Sequence, residues 1–140
     1  MLGGFLIATA IQKWNLHKRI ALFVLNNAGS NGASLILGFM VTAAVISMWV
    51  MNTATTIMLL PIGLAVITVV KETVKGLSEK ETENFQLALL LGIAYGATIG
   101  GMSTLIGTGP NGMLAAFMAD NYGLDISFVD WMKVGVPLSA

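Results

Sequence analysis

The sequence predicts an all-α membrane protein that contains a re-entrant helical hairpin and a broken transmembrane helix. Three observations support this fold class. Only 10% of the 140 residues are charged, two long stretches contain no charge, and each stretch has a polar interruption. Soluble domains carry about 25% charged residues, so this chain has too few to build a water-facing surface.

The two uncharged stretches are residues 20–70 and 84–119, with lengths of 51 and 36 residues. A helix that spans a bilayer needs about 20 apolar residues, and one charge at its centre costs about 2.5–3.5 kcal/mol. A large soluble core would still need polar helix faces, which these stretches lack. We therefore predict membrane-embedded helices in both.

The N-terminal part, residues 1–33, is predicted to hold the end of a transmembrane helix over 1–12 and an interfacial helix over 14–25. Trp14, Lys18 and Arg19 suit the headgroup region of a membrane. No basic region precedes the first apolar residues, so a signal peptide is not predicted. We expect the chain to be a fragment of a longer protein.

Residues 34–70 are predicted to form the re-entrant hairpin. Two apolar helices, 34–50 and 54–70, are joined only by residues 51–53, and so short a connection requires antiparallel arms. Each arm of 17 residues is about 25 Å long, slightly short of a hydrocarbon core of about 30 Å. Two complete but tilted spans are the alternative.

The distribution of basic residues favours a hairpin that enters and leaves on one side. Loops rich in Lys and Arg tend to be cytoplasmic, and basic clusters flank the hairpin on both sides. They consist of Lys13, Lys18 and Arg19 before it, and of Lys71, Lys75 and Lys80 after it.

Residues 71–84 are accordingly predicted to be a cytoplasmic loop, and residues 85–119 a broken transmembrane helix. Its break, at residues 99–111, holds four glycines, a proline and three hydroxyl side chains. Irregular backbone at membrane depth is tolerated where it is buried in protein or lines a cavity, and such breaks mark transporter binding sites. Residues 120–140 are predicted to be an extracytoplasmic segment and the start of the next helix.

The two polar breaks carry the predicted chemistry. Each precedes a helix whose first turn has unpaired N–H groups and a positive dipole end. We expect Asn52 or Thr53 to cap the helix that starts near residue 54, and Asn111 to cap the one near residue 112. Two such helix ends can bind a carboxylate, and carbonyl and side-chain oxygens suit sodium. The alternative for the glycines is close helix packing.

Other function classes find no support. The net charge is zero, so nothing favours binding to nucleic acid. Cysteine is absent, so disulfide bonds and metal binding by thiolates are not predicted. Residues 107–112 match G-x-G-x-x-G, but no strand precedes them, so we interpret the match as coincidental. The membrane segments contain no paired carboxylates and no nucleophile–base pair. The chain is therefore not predicted to be an enzyme.

The sequence resembles the divalent anion:sodium symporter family over nearly all 140 residues. Residues 47–61 are similar to the family's first hairpin, and residues 100–111 to its broken fifth helix. The resemblance implies a multi-pass, homodimeric carrier in the inner or plasma membrane, in contact with lipids. Its cargo would be a dicarboxylate, citrate or sulfate, usually with sodium. It also implies two inverted repeats and an elevator-type transport domain that moves against a scaffold, to which residues 1–33 belong.

The same resemblance implies site residues. Asn52 and Thr53 match positions that contact the substrate, while Ser47, Asn52 and the backbone near Gly100 and Gly101 match a sodium site. Met51 stands where the family usually has serine, so it can contribute only its carbonyl group.

The predicted function is that of a fragment of a sodium-coupled symporter for di- or tricarboxylate anions, with the second repeat missing. The alternatives are a proton-coupled or sulfate-type carrier of the same fold, and a membrane scaffold subunit that transports nothing.

Overall fold

The computed structural model describes residues 31–140 continuously. Before them it describes ten residues: Leu6, Thr9, Ala10, Lys13, Trp14, Asn15, Arg19, Phe23, Asn26 and Asn27. The helices predicted at 1–12 and 14–25 lie outside the continuously described part.

Residues 31–140 fold into α-helices and contain no β-strand, in agreement with the predicted all-α class. The helices are α1 (Gly32–Ser47), α2 (Asn52–Thr73), α3 (Glu79–Met102), α4 (Gly109–Tyr122) and α5 (Phe128–Ser139).

The turn between α1 and α2 lies at residues 48–51, three residues earlier than predicted. At this turn the N–H groups of Trp49 and Val50 both donate to the Ile46 carbonyl, at 3.0 Å, and an i→i−3 bond such as that of Trp49 tightens the last turn of a helix. The Val50 side chain is buried in the core, which fixes the chain direction before Asn52. Residues 52 and 53 are therefore the first residues of α2 and not part of the connection.

Helix α2 is longer than predicted. It has 22 residues and continues to Thr73, a length of about 33 Å. Lys71 stands in its last turn, where a cation complements the helix dipole. Two helical segments, Asn52–Glu72 and Glu79–Met102, are long and apolar enough to cross a membrane, whereas α1 is shorter. The argument for re-entrance from arm length thus applies to α1 and not to α2.

The predicted loop at 71–84 shrinks to residues 74–78, because α3 begins at Glu79 and not at residue 85. A capping box starts the helix. The Ser78 hydroxyl accepts from the Glu81 N–H at 3.3 Å, and the Glu81 carboxylate accepts from the Ser78 N–H at 3.0 Å. The spacing S-x-x-E in the sequence is typical of such a helix start.

Helix α3 is the centre of the fold. Both α1 and α2 pack mainly on α3 and much less on each other. The buried side chains between them form one core, which includes Phe39, Ala43, Leu59, Leu89 and Ile93. Since α1 and α3 come together closely, the end of α1 is brought beside the end of α3.

Helix α3 ends at Met102 and α4 begins at Gly109, so the predicted break is present but the chain resumes its helix three residues early. Helix α4 ends at Tyr122 and is followed by its C-cap Gly123, whose φ of 63° is the left-handed conformation that favours glycine. Helix α5 then packs on the end of α3, where the Trp131 indole N–H donates to the Met102 carbonyl at 3.1 Å. Residues 120–140 are therefore mostly helical.

Helix α5 begins with a polar cluster at its exposed end. Lys133 and Ser127 both donate to the Asp130 carboxylate, at 2.8 and 2.6 Å. These hydrogen bonds, and the charge of Lys133, lower the pKa of Asp130 below its ordinary value.

Candidate functional site

The first part of the candidate site is a pair of oxygen atoms at the hairpin tip. Ser47 is the last residue of α1 and is fully buried, and Asn52 is the first residue of α2 and is half-buried. The Ser47 hydroxyl donates to the Asn52 side-chain oxygen at 2.6 Å, across the turn. The early turn makes this contact possible, because it places both residues at helix ends that face each other.

Gly101, in the last turn of α3, lies directly against this pair. A Cβ added to Gly101 would overlap the Asn52 side-chain oxygen and would lie 2.9 Å from the Thr108 methyl group. Asn52 begins α2 and Thr108 precedes α4. The beginnings of both helices therefore meet at Gly101, and the two polar breaks form one site.

Thr104 and Asn111 hold the second break together, and the sequence did not single them out as binding-site residues. The buried Thr104 hydroxyl donates to the Met48 carbonyl at 2.5 Å. The Asn111 amide donates to the carbonyl groups of Gly101 and Thr104, at 3.1 and 2.8 Å. In the sequence, both residues stand out as polar side chains within an uncharged stretch. Their hydrogen-bond partners, however, are set by the tertiary structure.

The expected helix caps are corrected by the structure. Met51 occupies the N-cap of α2 and Thr108 that of α4, and neither side chain caps its helix. Asn52 bonds Ser47 instead, and Asn111 bonds carbonyl groups of the break. Both asparagines were predicted caps, but each finds a partner across the site.

Without these caps, α2 begins with free donors. The first N–H of α2 that donates to a protein acceptor belongs to Thr55, which bonds the Met51 carbonyl at 3.0 Å. The N–H groups of Asn52, Thr53 and Ala54 have no acceptor among residues 31–140. A helix start of this kind attracts an anion.

The other predicted residues are placed differently. Gly100 lies at the crossing of α1 and α3, where an added Cβ would overlap the Ala44 carbonyl, so close packing alone accounts for the absence of a side chain there. The Thr53 side chain is exposed. Met51 is 56% exposed, and only its carbonyl group takes part in the turn.

No formal charge lies in the segments that build the site. Residues 34–70 and 84–119 contain no Asp, Glu, Lys or Arg, and the described residues hold no group of three His, Cys, Asp or Glu that could bind a metal ion. The site offers hydroxyl, amide and carbonyl oxygens instead. These oxygen atoms are suitable ligands for a hard cation of low charge and not for a transition metal.

A groove of about 410 Å³ lies beside the site, between the end of α3, the start of α4 and α5. Met102, Asn111, Trp131 and Leu138 are among its lining residues. Apart from Asn111 and Asp130 its lining residues are largely apolar, and neither Ser47 nor Asn52 lines it. The polar site and this groove are therefore separate features.

Comparisons with known proteins show the family of this chain. The model of the CitMHS family, described as citrate transporter, matches residues 1–140. The chain is 44% identical over 137 residues to the sodium-dependent dicarboxylate transporter SdcS of Staphylococcus saprophyticus subsp. saprophyticus. It is 42% identical over 137 residues to the SdcS protein of Staphylococcus aureus strain USA300.

Each of these alignments covers 97% of this chain and 26% of the relative, so the chain spans about a quarter of the length of the curated relatives it matches. The matches confirm the resemblance to the divalent anion:sodium symporter family. Since the matched proteins are transporters, they also confirm the prediction that the chain is not an enzyme. The chain belongs to the CitMHS citrate transporter family.

Proposed function

We propose that this chain supplies a sodium site and one half of an anion site to a membrane symporter for di- or tricarboxylates. One observation carries the proposal. The buried Ser47 hydroxyl and the Asn52 side-chain oxygen lie 2.6 Å apart at the hairpin tip, directly against Gly101 of the second break.

The sodium site comprises the side-chain oxygens of Ser47 and Asn52 together with backbone carbonyl groups of Met51, Gly100 and Gly101. Each of these carbonyl groups accepts one hydrogen bond, from Thr55, Ser103 and Asn111 respectively. A carbonyl oxygen has two lone pairs, so each can still bind a cation. The Ser47 hydroxyl turns its hydrogen away from Asn52 when both oxygens bind the ion. Sodium is a co-transported substrate in this scheme.

The anion half-site is the start of α2. Asn52 and Thr53 lie in its first turn, where unpaired N–H groups and the helix dipole favour a carboxylate. Thr108, the N-cap of α4, lies against the same face of Gly101 as Asn52, so the start of α4 adds a second positive end. A bound cation next to these helix ends raises their affinity for an anion, which is the physical basis of coupling between the two substrates.

The layout proposed for the complete protein follows from the family. Residues 34–70 form a hairpin that enters the membrane from the cytoplasmic side, 71–84 face the cytoplasm, 85–119 form the broken helix, and 120–140 the extracytoplasmic side and the next helix. A second inverted repeat, in a longer chain, completes the pocket. We propose that the protein is multi-pass in the inner or plasma membrane, homodimeric, and operates by elevator motion.

The names of the relatives support the choice of substrates. SdcS is a sodium-dependent dicarboxylate transporter, and the family is described as citrate transporter. A proton-coupled carrier is the second candidate, because Met51 stands where the family usually has a serine hydroxyl. The exposed Met51 side chain leaves the Ser47–Asn52 pair intact, and this favours sodium.

The test is uptake by the complete transporter in proteoliposomes, with labelled succinate, citrate and sulfate offered separately. We expect succinate or citrate uptake to follow an imposed sodium gradient and to be insensitive to a pH gradient of the same size. Uptake that ignores sodium and follows the pH gradient contradicts the sodium assignment. Sulfate uptake without succinate or citrate uptake contradicts the carboxylate assignment.

Gly101→Ala tests the meeting of the two breaks. The new methyl group overlaps the Asn52 side-chain oxygen. Because that atom ends a side chain it can move, and we expect the movement to disturb its hydrogen bond with Ser47. We expect the half-saturating sodium concentration to rise about tenfold, which corresponds to a loss of about 1.4 kcal/mol. Sodium titration of uptake measures it, and an unchanged sodium requirement would contradict the assigned geometry.

A further inference from the structure

Thr104 makes two hydrogen bonds that the proposed binding chemistry does not require. Its side chain is fully buried between the end of α3 and the start of α4. The hydroxyl donates to the Met48 carbonyl at 2.5 Å and accepts from the Gly107 N–H at 3.1 Å. A single oxygen atom therefore binds both polar breaks of the site.

The partner on the hairpin is a carbonyl group at the end of a helix. Met48 is the C-cap of α1, where carbonyl groups have no partner within the helix. Among residues 31–140, the bond from Thr104 is the only hydrogen bond that joins the part of the chain with α1 and α2 (31–73) to α3–α5. The position of the hairpin tip thus depends on packing and on this one directional contact.

The position of Met48 matters because Ser47 directly precedes it. A shift of the Met48 carbonyl moves the Ser47 peptide and changes the distance between the Ser47 and Asn52 oxygens, now 2.6 Å. On the other side, Gly107 directly precedes Thr108, the N-cap of α4. The same hydroxyl therefore orients one residue of the sodium site and the start of a helix at the anion site.

We propose that Thr104 is a positioning residue that sets the sodium affinity of the site by holding the hairpin tip against the second break. The inference rests on the proposed function. Thr104 itself binds neither the ion nor the anion. Its hydroxyl is already engaged as donor and acceptor, and its effect is transmitted through Ser47.

A purely structural role is the alternative, in which the Thr104 methyl group fills space and the hydroxyl only satisfies two backbone groups. Two variants separate these roles. Thr104→Val keeps the shape and removes the hydroxyl, whereas Thr104→Ser keeps the hydroxyl and removes the methyl group. The positioning role depends on the hydroxyl, and the space-filling role depends on the methyl group.

The experiment is sodium-dependent succinate uptake by the complete transporter, measured as half-saturating sodium concentration and as maximal rate. For Thr104→Val we expect half-saturating sodium to rise about tenfold, the consequence of one lost buried hydrogen bond. The maximal rate at saturating sodium and succinate stays within about twofold. Thr104→Ser retains the wild-type sodium requirement within about twofold.

Thr98→Val is the matched control. Thr98 is also on α3, but it is exposed and its hydroxyl donates to the Ala94 carbonyl of its own helix at 3.0 Å. We expect this variant to behave like the wild type. If Thr104→Val does not reach the membrane, Thr104→Cys replaces it. Because a thiol is a weaker donor, an intermediate increase in the sodium requirement is expected.

Three results overturn the inference alone while the wild type remains sodium-dependent. They are an unchanged sodium requirement in the valine or cysteine variant, a serine variant as impaired as the valine variant, and a lost maximal rate with unchanged sodium affinity. Sodium-independent uptake by the wild type overturns the proposed function, and the inference with it.

Discussion

Asn52→Ala reduces sodium-dependent uptake by the complete transporter by about 100-fold, the largest effect expected from a single substitution in this site. Asn52 is assigned to both substrates, and its side-chain oxygen is the partner of the buried Ser47 hydroxyl at 2.6 Å. Removal of a polar group that binds a charged ligand costs about 1.5–3 kcal/mol, and here two ligands are affected. Initial rates of succinate uptake against sodium concentration provide the measurement.

Asn121→Ala serves as the matched control. Asn121 lies on α4, is exposed, and donates only to the Phe117 carbonyl of its own helix. We expect uptake by this variant to equal that of the wild type. Normal membrane expression with unchanged uptake in Asn52→Ala would show that the hairpin tip is not a binding site.

Gly96→Ala destabilises the protein by about 3 kcal/mol, the largest stability effect expected among substitutions outside the site. Gly96 faces α1, and an added Cβ would overlap the Met40 carbonyl oxygen and lie 3.0 Å from the Met40 Cα. Backbone atoms cannot turn aside as a side chain can, so α1 and α3 must separate. Overpacking of a core costs about 1–3 kcal/mol in stability, and we expect the separation of two helices to cost an amount at the upper end of that range.

The measurement is reversible unfolding in detergent, with Gly112→Ala as the control. Gly112 lies in α4, and an added Cβ there meets no atom within 4 Å. Because alanine favours a helix over glycine, the control keeps or slightly raises the stability, by up to about 1 kcal/mol. Equal stability of Gly96→Ala and the wild type would contradict the close contact of α1 and α3.

The hairpin shows how far the sequence could predict this fold. The absence of charge and the length of the apolar stretches indicate two helices at 34–70, and the structure has two there. Polarity predicts the turn between them three residues late, because Asn52 and Thr53 are the polar residues of the predicted connection. The turn depends on the burial of Val50 and on the backbone bonds of Trp49 and Val50 to the Ile46 carbonyl, and neither is visible in a hydropathy pattern.

In the candidate site, the two asparagines show the same limit of prediction from the sequence. An amide next to a predicted helix start is usually interpreted as an N-cap, since capping is a local interaction. Both Asn52 and Asn111 bond more distant groups instead, and Asn111 reaches the carbonyl of Gly101 ten residues earlier. A local rule fails where a tertiary partner competes for the same side chain.

The roles of Gly100 and Gly101 could not be separated from the sequence. The two are adjacent, and either close packing or a ligand site explained both. In the structure Gly100 faces Ala44 of α1, and Gly101 faces Asn52. Successive residues of a helix point about 100° apart, so which neighbour each one meets depends on where α1 crosses α3.

By itself the sequence determined the helical class, the two polar breaks and the likeness to a symporter family, because uncharged length and local motifs need no knowledge of packing. The tertiary structure decided which polar groups meet: Ser47 with Asn52, Asn52 with Gly101, and Thr104 with Met48. The last of these pairs is 56 residues apart in the chain. The contacts of Gly101 and Thr104 with the hairpin depend on the close approach of α1 and α3, which is a property of the packed helices and not of any segment alone.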